Sequence, residues 1–224
     1  MDNSRRSFIK KSAAGLAVIG SGGILPGFSA RSYSSIIGAN DRILIAMMGV
    51  NSRGKALAST FAMQDNVEIA FVCDVDTRAE ASCSDAVEKL GKKRPAACSD
   101  FRKALGNKDL DAMVIAAPDH WHAPAAILAA KAGKHVYLEK PCSHNPREGE
   151  LLVDAVKKYK VVMQMGNQRR SFPNVIAGIA ELKSGVIGRP YYAKTWYTNN
   201  RAPIGTGKET AVPSWLDYEL WQGP

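Results

Sequence analysis

Ile43-Leu44-Ile45-Ala46-Met47-Met48-Gly49-Val50-Asn51-Ser52-Arg53-Gly54 is the stretch whose reading decides the fold. An unbroken apolar run closes in a glycine turn, and residues 53–63 then have a helical composition. A strand that reads as continuously apolar is one covered on both faces. Working outward, 67–73 reads as a second strand, 78–90 as a helix, 96–98 as a weak strand and 101–105 as a short helix. The run at 112–117 is another buried strand, and an alanine-rich helix follows over 124–132, opening at Pro124. A strand at 135–138, a helix at 146–159 and a strand at 161–165 continue the pattern. This alternation predicts right-handed βαβ crossovers and an α/β fold with a doubly wound parallel sheet.

The turn from Gly49 to Gly54 sits where a Rossmann-type fold carries Gly-x-Gly-x-x-Gly. Gly49 permits the tight turn, and Gly54 lets the helix approach the sheet. The helix start, through Asn51, Ser52 and Arg53, offers N–H groups to a pyrophosphate. Asn51 replaces the middle glycine; it tolerates left-handed backbone but sets a side chain beside the phosphate. Asp74 closes the second strand twenty residues after Gly54, where an acid holds the ribose 2′-hydroxyl. An acid there repels a 2′-phosphate and so favours NAD over NADP. The bland alternative is a glycine turn with a capping aspartate.

The chain has 224 residues, 46% apolar and 23% charged, the balance of a globular protein with room for one domain and part of another. Its net charge of +9 invites a nucleic-acid reading. Arg5, Arg6, Lys10, Lys11 and Arg31 supply much of that excess, however, and the other basic residues lie among acids with no aromatic-interleaved stripe. No nucleic-acid partner is expected. Ser4-Arg5-Arg6-Ser7-Phe8-Ile9-Lys10 precedes an uncharged stretch over 12–30 that holds five glycines and Pro26, a poor spanning helix. A basic start, a mild apolar middle and small residues at Ser29-Ala30 read as a twin-arginine (Tat) signal peptide over 1–31. Export through the Tat machinery to the periplasm is the expectation. That route carries folded chains, which suits a protein that must trap a cytoplasmic cofactor first. Cys73, Cys83, Cys98 and Cys142 form neither a disulfide framework nor a Cys-x-x-Cys pair.

Residues 40–166 form the expected nucleotide-binding domain. After Gly166 the rhythm changes to a helix at 173–184, a strand at 191–198, a polar loop at 199–213 and an aromatic cluster at 215–221. Residues 167–224 therefore read as the start of an α+β second domain, incomplete at Pro224.

Two further motifs follow strands: Ala117-Pro118-Asp119-His120-Trp121-His122 and Glu139-Lys140-Pro141. With the glycine turn, they make the chain from about Arg42 onward resemble the Gfo/Idh/MocA family of nicotinamide-dependent oxidoreductases. The resemblance implies that Lys140 reaches the nicotinamide ribose and the substrate hydroxyl, as the catalytic residue. Glu139 and Pro141 would fix that loop, often with a cis bond before the proline. Pro118, Asp119 and His122 match a pattern usually written Pro-Asn-x-x-His and would contact the cofactor, although aspartate cannot donate as the amide does. Gly166-Asn167-Gln168-Arg169-Arg170 resembles the segment lining the cleft after the sixth strand, so Gln168 would face cofactor and Arg170 substrate. Trp221-Gln222-Gly223-Pro224 resembles a recurring segment of sugar-active members that carry export signals.

The implied activity is NAD(P)-dependent hydride transfer on a sugar, polyol or sugar derivative, in a homo-oligomer paired through the second domain. Trp121, Tyr197 and Trp221 are aromatics that could stack on sugar faces, but buried aromatics more often belong to the core. An NAD-dependent glycosidase is one alternative. Such relatives often replace the lysine of Glu-Lys-Pro, so Lys140 points to the dehydrogenase. A non-catalytic NAD-binding protein is the other, because the family's second-domain acid/base pair, an Asp with a His four residues later, is not assignable here. The histidines are His120, His122, His135 and His144, all in the first domain. His120 and His122 lack a third ligand at suitable spacing, so no metal site is expected, and pocket-lining or packing roles are favoured for both.

Overall fold

The computed structural model describes residues 42–198 and 201–224. The expected signal peptide over 1–31 lies outside the described residues. Six strands form one sheet: β1 (Ile43–Met48), β2 (Val67–Cys73), β3 (Ala96–Ala97), β4 (Ala112–Ile115), β5 (His135–Glu139) and β6 (Met163–Gly166). Their order is β3-β2-β1-β4-β5-β6, and every pairing is parallel. The crossovers carry α1 (Arg53–Ala62), α2 (Thr77–Lys89), α3 (Phe101–Leu105), α4 (Asp119–Lys131) and α5 (Pro146–Tyr159). This is the doubly wound Rossmann arrangement, with its order reversal between β1 and β4.

The apolar run of β1 is explained by what lies on either side of it. Ile45 and Met47 pack with Leu57 and Ala58 of α1 and with Ala79 and Cys83 of α2. Ala46 and Met48 point the opposite way, into a second cluster with Phe101 of α3, Ala125 and Ala129 of α4 and Leu152 of α5. Successive side chains of a strand alternate faces, so a sheet sandwiched by helices needs apolar residues at every position.

Two local expectations are corrected. Helix α4 starts at Asp119, not at Pro124, which lies inside the helix. Pro118, with φ −58° and ψ 152°, sets the start. Pro124 only removes one hydrogen bond to the turn before it. The strand expected over 191–198 does not form, and Tyr191, Tyr192, Trp196 and Tyr197 are exposed. Among the described residues it has no neighbouring strand to complete a ladder, and β propensity alone does not hold an extended segment. After β6 come a short 3-10 turn at Gln168–Ser171, helix α6 (Pro173–Lys183) and helix α7 (Tyr218–Gln222).

Candidate functional site

The carboxyl ends of β1, β2 and β4 converge on one cleft. At its floor Gly49 takes φ +76°, and a Cβ there would fall 2.5 Å from the Ala117 Cα. A Cβ on Gly54 would lie 1.7 Å from the Gly49 carbonyl oxygen. Both glycines are therefore demanded by close backbone approach: the β1–α1 turn rests directly on the turn that leads to α4. No side chain caps α1 at Ser52. Its first-turn N–H groups are left to an acceptor from elsewhere, and the helix dipole favours an anion there. Asn51, Ser52 and Arg53 are exposed around this opening.

Asp74 faces the same opening. Its Oδ2 accepts the Val50 N–H at 2.7 Å and its Oδ1 accepts the Asp76 N–H at 3.0 Å. The aspartate thus caps the turn, yet each oxygen keeps a second acceptor position for a hydroxyl. Behind it Glu80, 6% exposed, accepts the N–H groups of Asp74 at 3.3 Å and Cys98 at 3.1 Å. Burial raises the Glu80 carboxyl above its ordinary range, against the lowering effect of those two amides.

Glu139 is the hub of the other end. It is 5% exposed, and its Oε1 accepts from Arg53 Nε at 2.7 Å and from Gln168 Nε2 at 2.5 Å. Its Oε2 accepts the Lys140 N–H at 3.3 Å. Glu139 and Gln168, both assigned to the cofactor from sequence, are thereby spent in part on each other and on Arg53. The Lys140–Pro141 peptide is cis, as the family resemblance implies, and Lys140 is exposed.

His122 takes the packing role that the residues alone favour for it over the cofactor contact that the resemblance implies. It is 2% exposed, with Nε2 2.8 Å from the Ala117 carbonyl oxygen and Nδ1 hydrogen-bonded to that of Pro141. With both ring nitrogens engaged and the ring buried, it has no atom to give a nucleotide. It acts as a strut that ties the end of β4 to the loop bearing Lys140. Pro118 and Asp119 are exposed, and Pro118 lines the cleft.

Trp121, assigned to substrate, lies 7% exposed and edge-on to Phe101 at 5.5 Å. It lines the cleft with Gly49 and Asp74, and Lys140 is not among the lining residues. Arg170 is exposed beside a shallow depression shared with Tyr137, Gly166 and Gln168. Among the described residues no three His, Cys, Asp or Glu side chains converge as metal ligands. Sequence reasoning missed Leu220, which returns from the far end of the chain to line the cleft. Trp221, for which stacking on a sugar and a core role were both open, lines the same cleft. Their one sequence signal was the Trp-Gln-Gly-Pro segment.

This donor set fits a dinucleotide: open helix-start amides for a diphosphate, a carboxylate for ribose hydroxyls and an apolar cleft for a base. A family model described as an oxidoreductase family with an NAD-binding Rossmann fold matches residues 43–167. The chain belongs to the Gfo/Idh/MocA oxidoreductase family. Among curated relatives, a glycosyl hydrolase family 109 protein of Saccharopolyspora erythraea is 32% identical, over 86% of this chain and 49% of its own length. Levoglucosan dehydrogenase of Pseudarthrobacter phenanthrenivorans is 33% identical over 47% of this chain and 28% of its own. The myo-inositol dehydrogenase of Lactobacillus casei, solved with NAD(H) and myo-inositol, superposes with a TM-score of 0.60 at 22% identity. That match covers 66% of this chain and 43% of the other, and shows the shared fold. The chain spans half or less of the length of these Gfo/Idh/MocA relatives.

Proposed function

We propose that this family member is an NAD-dependent oxidoreductase that transfers a hydride from a CH–OH group of a sugar or polyol. The observation that carries the reading is the uncapped start of α1 beside Asp74, whose Oδ2 sits 2.7 Å from the Val50 N–H. In this reading the α1 amides, with Asn51, Ser52 and Arg53 around them, hold the diphosphate, and Asp74 takes the adenosine ribose hydroxyls. The carboxylate disfavours a 2′-phosphate, so NAD is preferred over NADP. The bound nicotinamide supplies the hydride acceptor. Lys140, held on the loop that Glu139 and His122 fix, hydrogen-bonds the substrate hydroxyl and moves its proton. Pro118 and Asp119 border the cofactor, while Gln168 and Arg170 extend the cleft towards substrate.

A second reading is supported by the glycosyl hydrolase family 109 relatives: oxidation, elimination and re-reduction of a glycoside, with no net change in the nucleotide. Presence of Lys140 favours the dehydrogenase. Export by the Tat route to the periplasm, resting on Arg5-Arg6, and a homo-oligomeric state belong to the same proposal. The test is NADH absorbance of the full-length protein across a panel of sugars and polyols, beside Asp74→Ala. Substrate-dependent NADH formation, lost in Asp74→Ala, supports the dehydrogenase. Release of a chromogenic aglycone without net NADH transfers the assignment to the glycosidase. Absence of nucleotide binding rejects both.

A further inference from the structure

The last stretch of the chain does not stay with the residues that precede it. It returns to the Rossmann sheet and lies across the open side of the cleft. At one end the Thr77 N–H donates to the Trp215 carbonyl at 3.1 Å, the Asp217 N–H donates to the Val75 carbonyl at 2.9 Å, and Asp76 and Leu216 form an antiparallel bridge. The Arg78 guanidinium sits over the Trp215 ring at 3.2 Å. At the other end Trp121 Nε1 donates to the Leu220 carbonyl at 2.8 Å, and His120 Nε2 lies 2.9 Å from the Trp221 carbonyl oxygen. Gly223, at φ +87°, comes so near His120 that a Cβ would fall 2.5 Å from the ring.

The segment is thus pinned by main-chain bonds at the start of α2 and by the side chains of His120 and Trp121 at the start of α4, and it bridges the space between them. That space is a narrow, half-open cleft bounded by Gly49, Asp74, Phe101 and Pro118. Leu220 and Trp221 complete its wall. Its lining is chiefly apolar and aromatic, which suits a flat heteroaromatic base whose sugar reaches an acid at the rim. All these residues of the returning segment lie beyond the stretch matched by the family model, which ends at 167.

We infer that residues 215–223 form a clasp over the adenosine half of the bound dinucleotide, so that the nucleotide leaves only when the clasp lifts. This rests on the NAD-binding reading above and deepens it: the returning segment slows exchange of the nucleotide. Lifting the clasp breaks hydrogen bonds at both ends. The contribution falls on dissociation more than on association, as interface affinity differences generally do.

The test is release of NADH from the full-length protein, followed by nucleotide fluorescence after an excess of NAD is added. Trp221→Ala and Gly223→Ala are compared with wild type and with Trp221→Phe, which keeps an aromatic wall. The expected result is release faster by about tenfold or more in both disruptive variants, association changed by less than about threefold, and slow release restored in Trp221→Phe. ADP-ribose binding weakens in step with NAD, while nicotinamide mononucleotide binding does not move. If Gly223→Ala fails to fold, the Trp221 pair decides. Wild-type binding with unchanged release in Trp221→Ala overturns the clasp and leaves the oxidoreductase reading intact. No nucleotide binding by wild type overturns both.

Discussion

Arg53 Nε donates to Glu139 Oε1 across 2.7 Å, and this one bond joins the first turn of α1 to the last residue of β5. The two residues belong to motifs 86 positions apart, one proposed to hold the diphosphate and the other to fix the loop of Lys140. Their pairing makes the orientation of Lys140 depend on the geometry of the glycine turn.

Glu139→Ala should therefore damage more than its own position. It leaves Arg53 and Gln168 without their shared acceptor, and removing one partner of a buried ion pair costs on the order of 3 kcal/mol. Because Arg53 is half exposed, the loss belongs at the low end. Chemical denaturation measures the stability, and steady-state kinetics should show a fall in kcat larger than the rise in KM for the nucleotide. Glu139→Gln keeps the shape and should recover much of the stability but less of the rate.

Gly54→Ala places a methyl group 1.7 Å from the Gly49 carbonyl oxygen, a distance no rotamer adjustment relieves. The expected outcome is a loss of more than about 3 kcal/mol or no soluble protein, together with loss of nucleotide binding. A thermal melt with and without NAD checks it. A variant that melts normally and binds NAD would show that α1 moves away from the sheet freely.

His122→Ala removes the ring set between the carbonyls of Ala117 and Pro141, to one of which its N–H donates. Each buried unmet acceptor costs about 1–3 kcal/mol. His122→Asn restores one donor and should lie between the two in stability. Since the ring spares no nitrogen for a ligand, NAD affinity in His122→Asn should change far less than kcat; isothermal titration against turnover separates the two.

The fold was legible in the sequence where long-range packing and local pattern agree. Strands β1 and β4 are apolar at consecutive positions because helices cover both faces, and that signature survives in any reading of the chain. Asp74 was legible because its spacing from Gly54 is fixed by one βαβ unit. The start of α4 was not: Pro124 mimicked a helix opening that Pro118 in fact provides. A packing role for His122 was legible in the sequence, but its two carbonyl partners were not, because they are tertiary facts. The clasp was beyond reach for a related reason. Its contacts join residues such as Thr77 and Trp215, 138 positions apart, and no local periodicity records them.

Acid should loosen the clasp at a defined point. The Arg78 guanidinium, by hydrogen bonding, holds the Asp76 carboxyl below its ordinary value of 3.8, and the same guanidinium covers Trp215. A carboxyl whose folded value is depressed contributes stability that is complete above 3.8 and disappears as the pH falls through the lowered value. Tryptophan fluorescence should therefore hold steady above pH 3.8 and change below it. Asp76→Asn, which keeps a capping oxygen without the charge, should flatten that change; an identical acid profile would show that Arg78 stays over Trp215 without its partner.

The shared acceptor at position 139 also restricts how this protein can be recombined with its kin. A chimera that imports the loop at 49–54 from another member, without also importing residues 53, 139 and 168 as a set, would splice together two ends of the cleft that were never fitted to each other. Grafts that respect this three-way junction should keep coupling between the two halves of the cofactor, and those that cut through it should not.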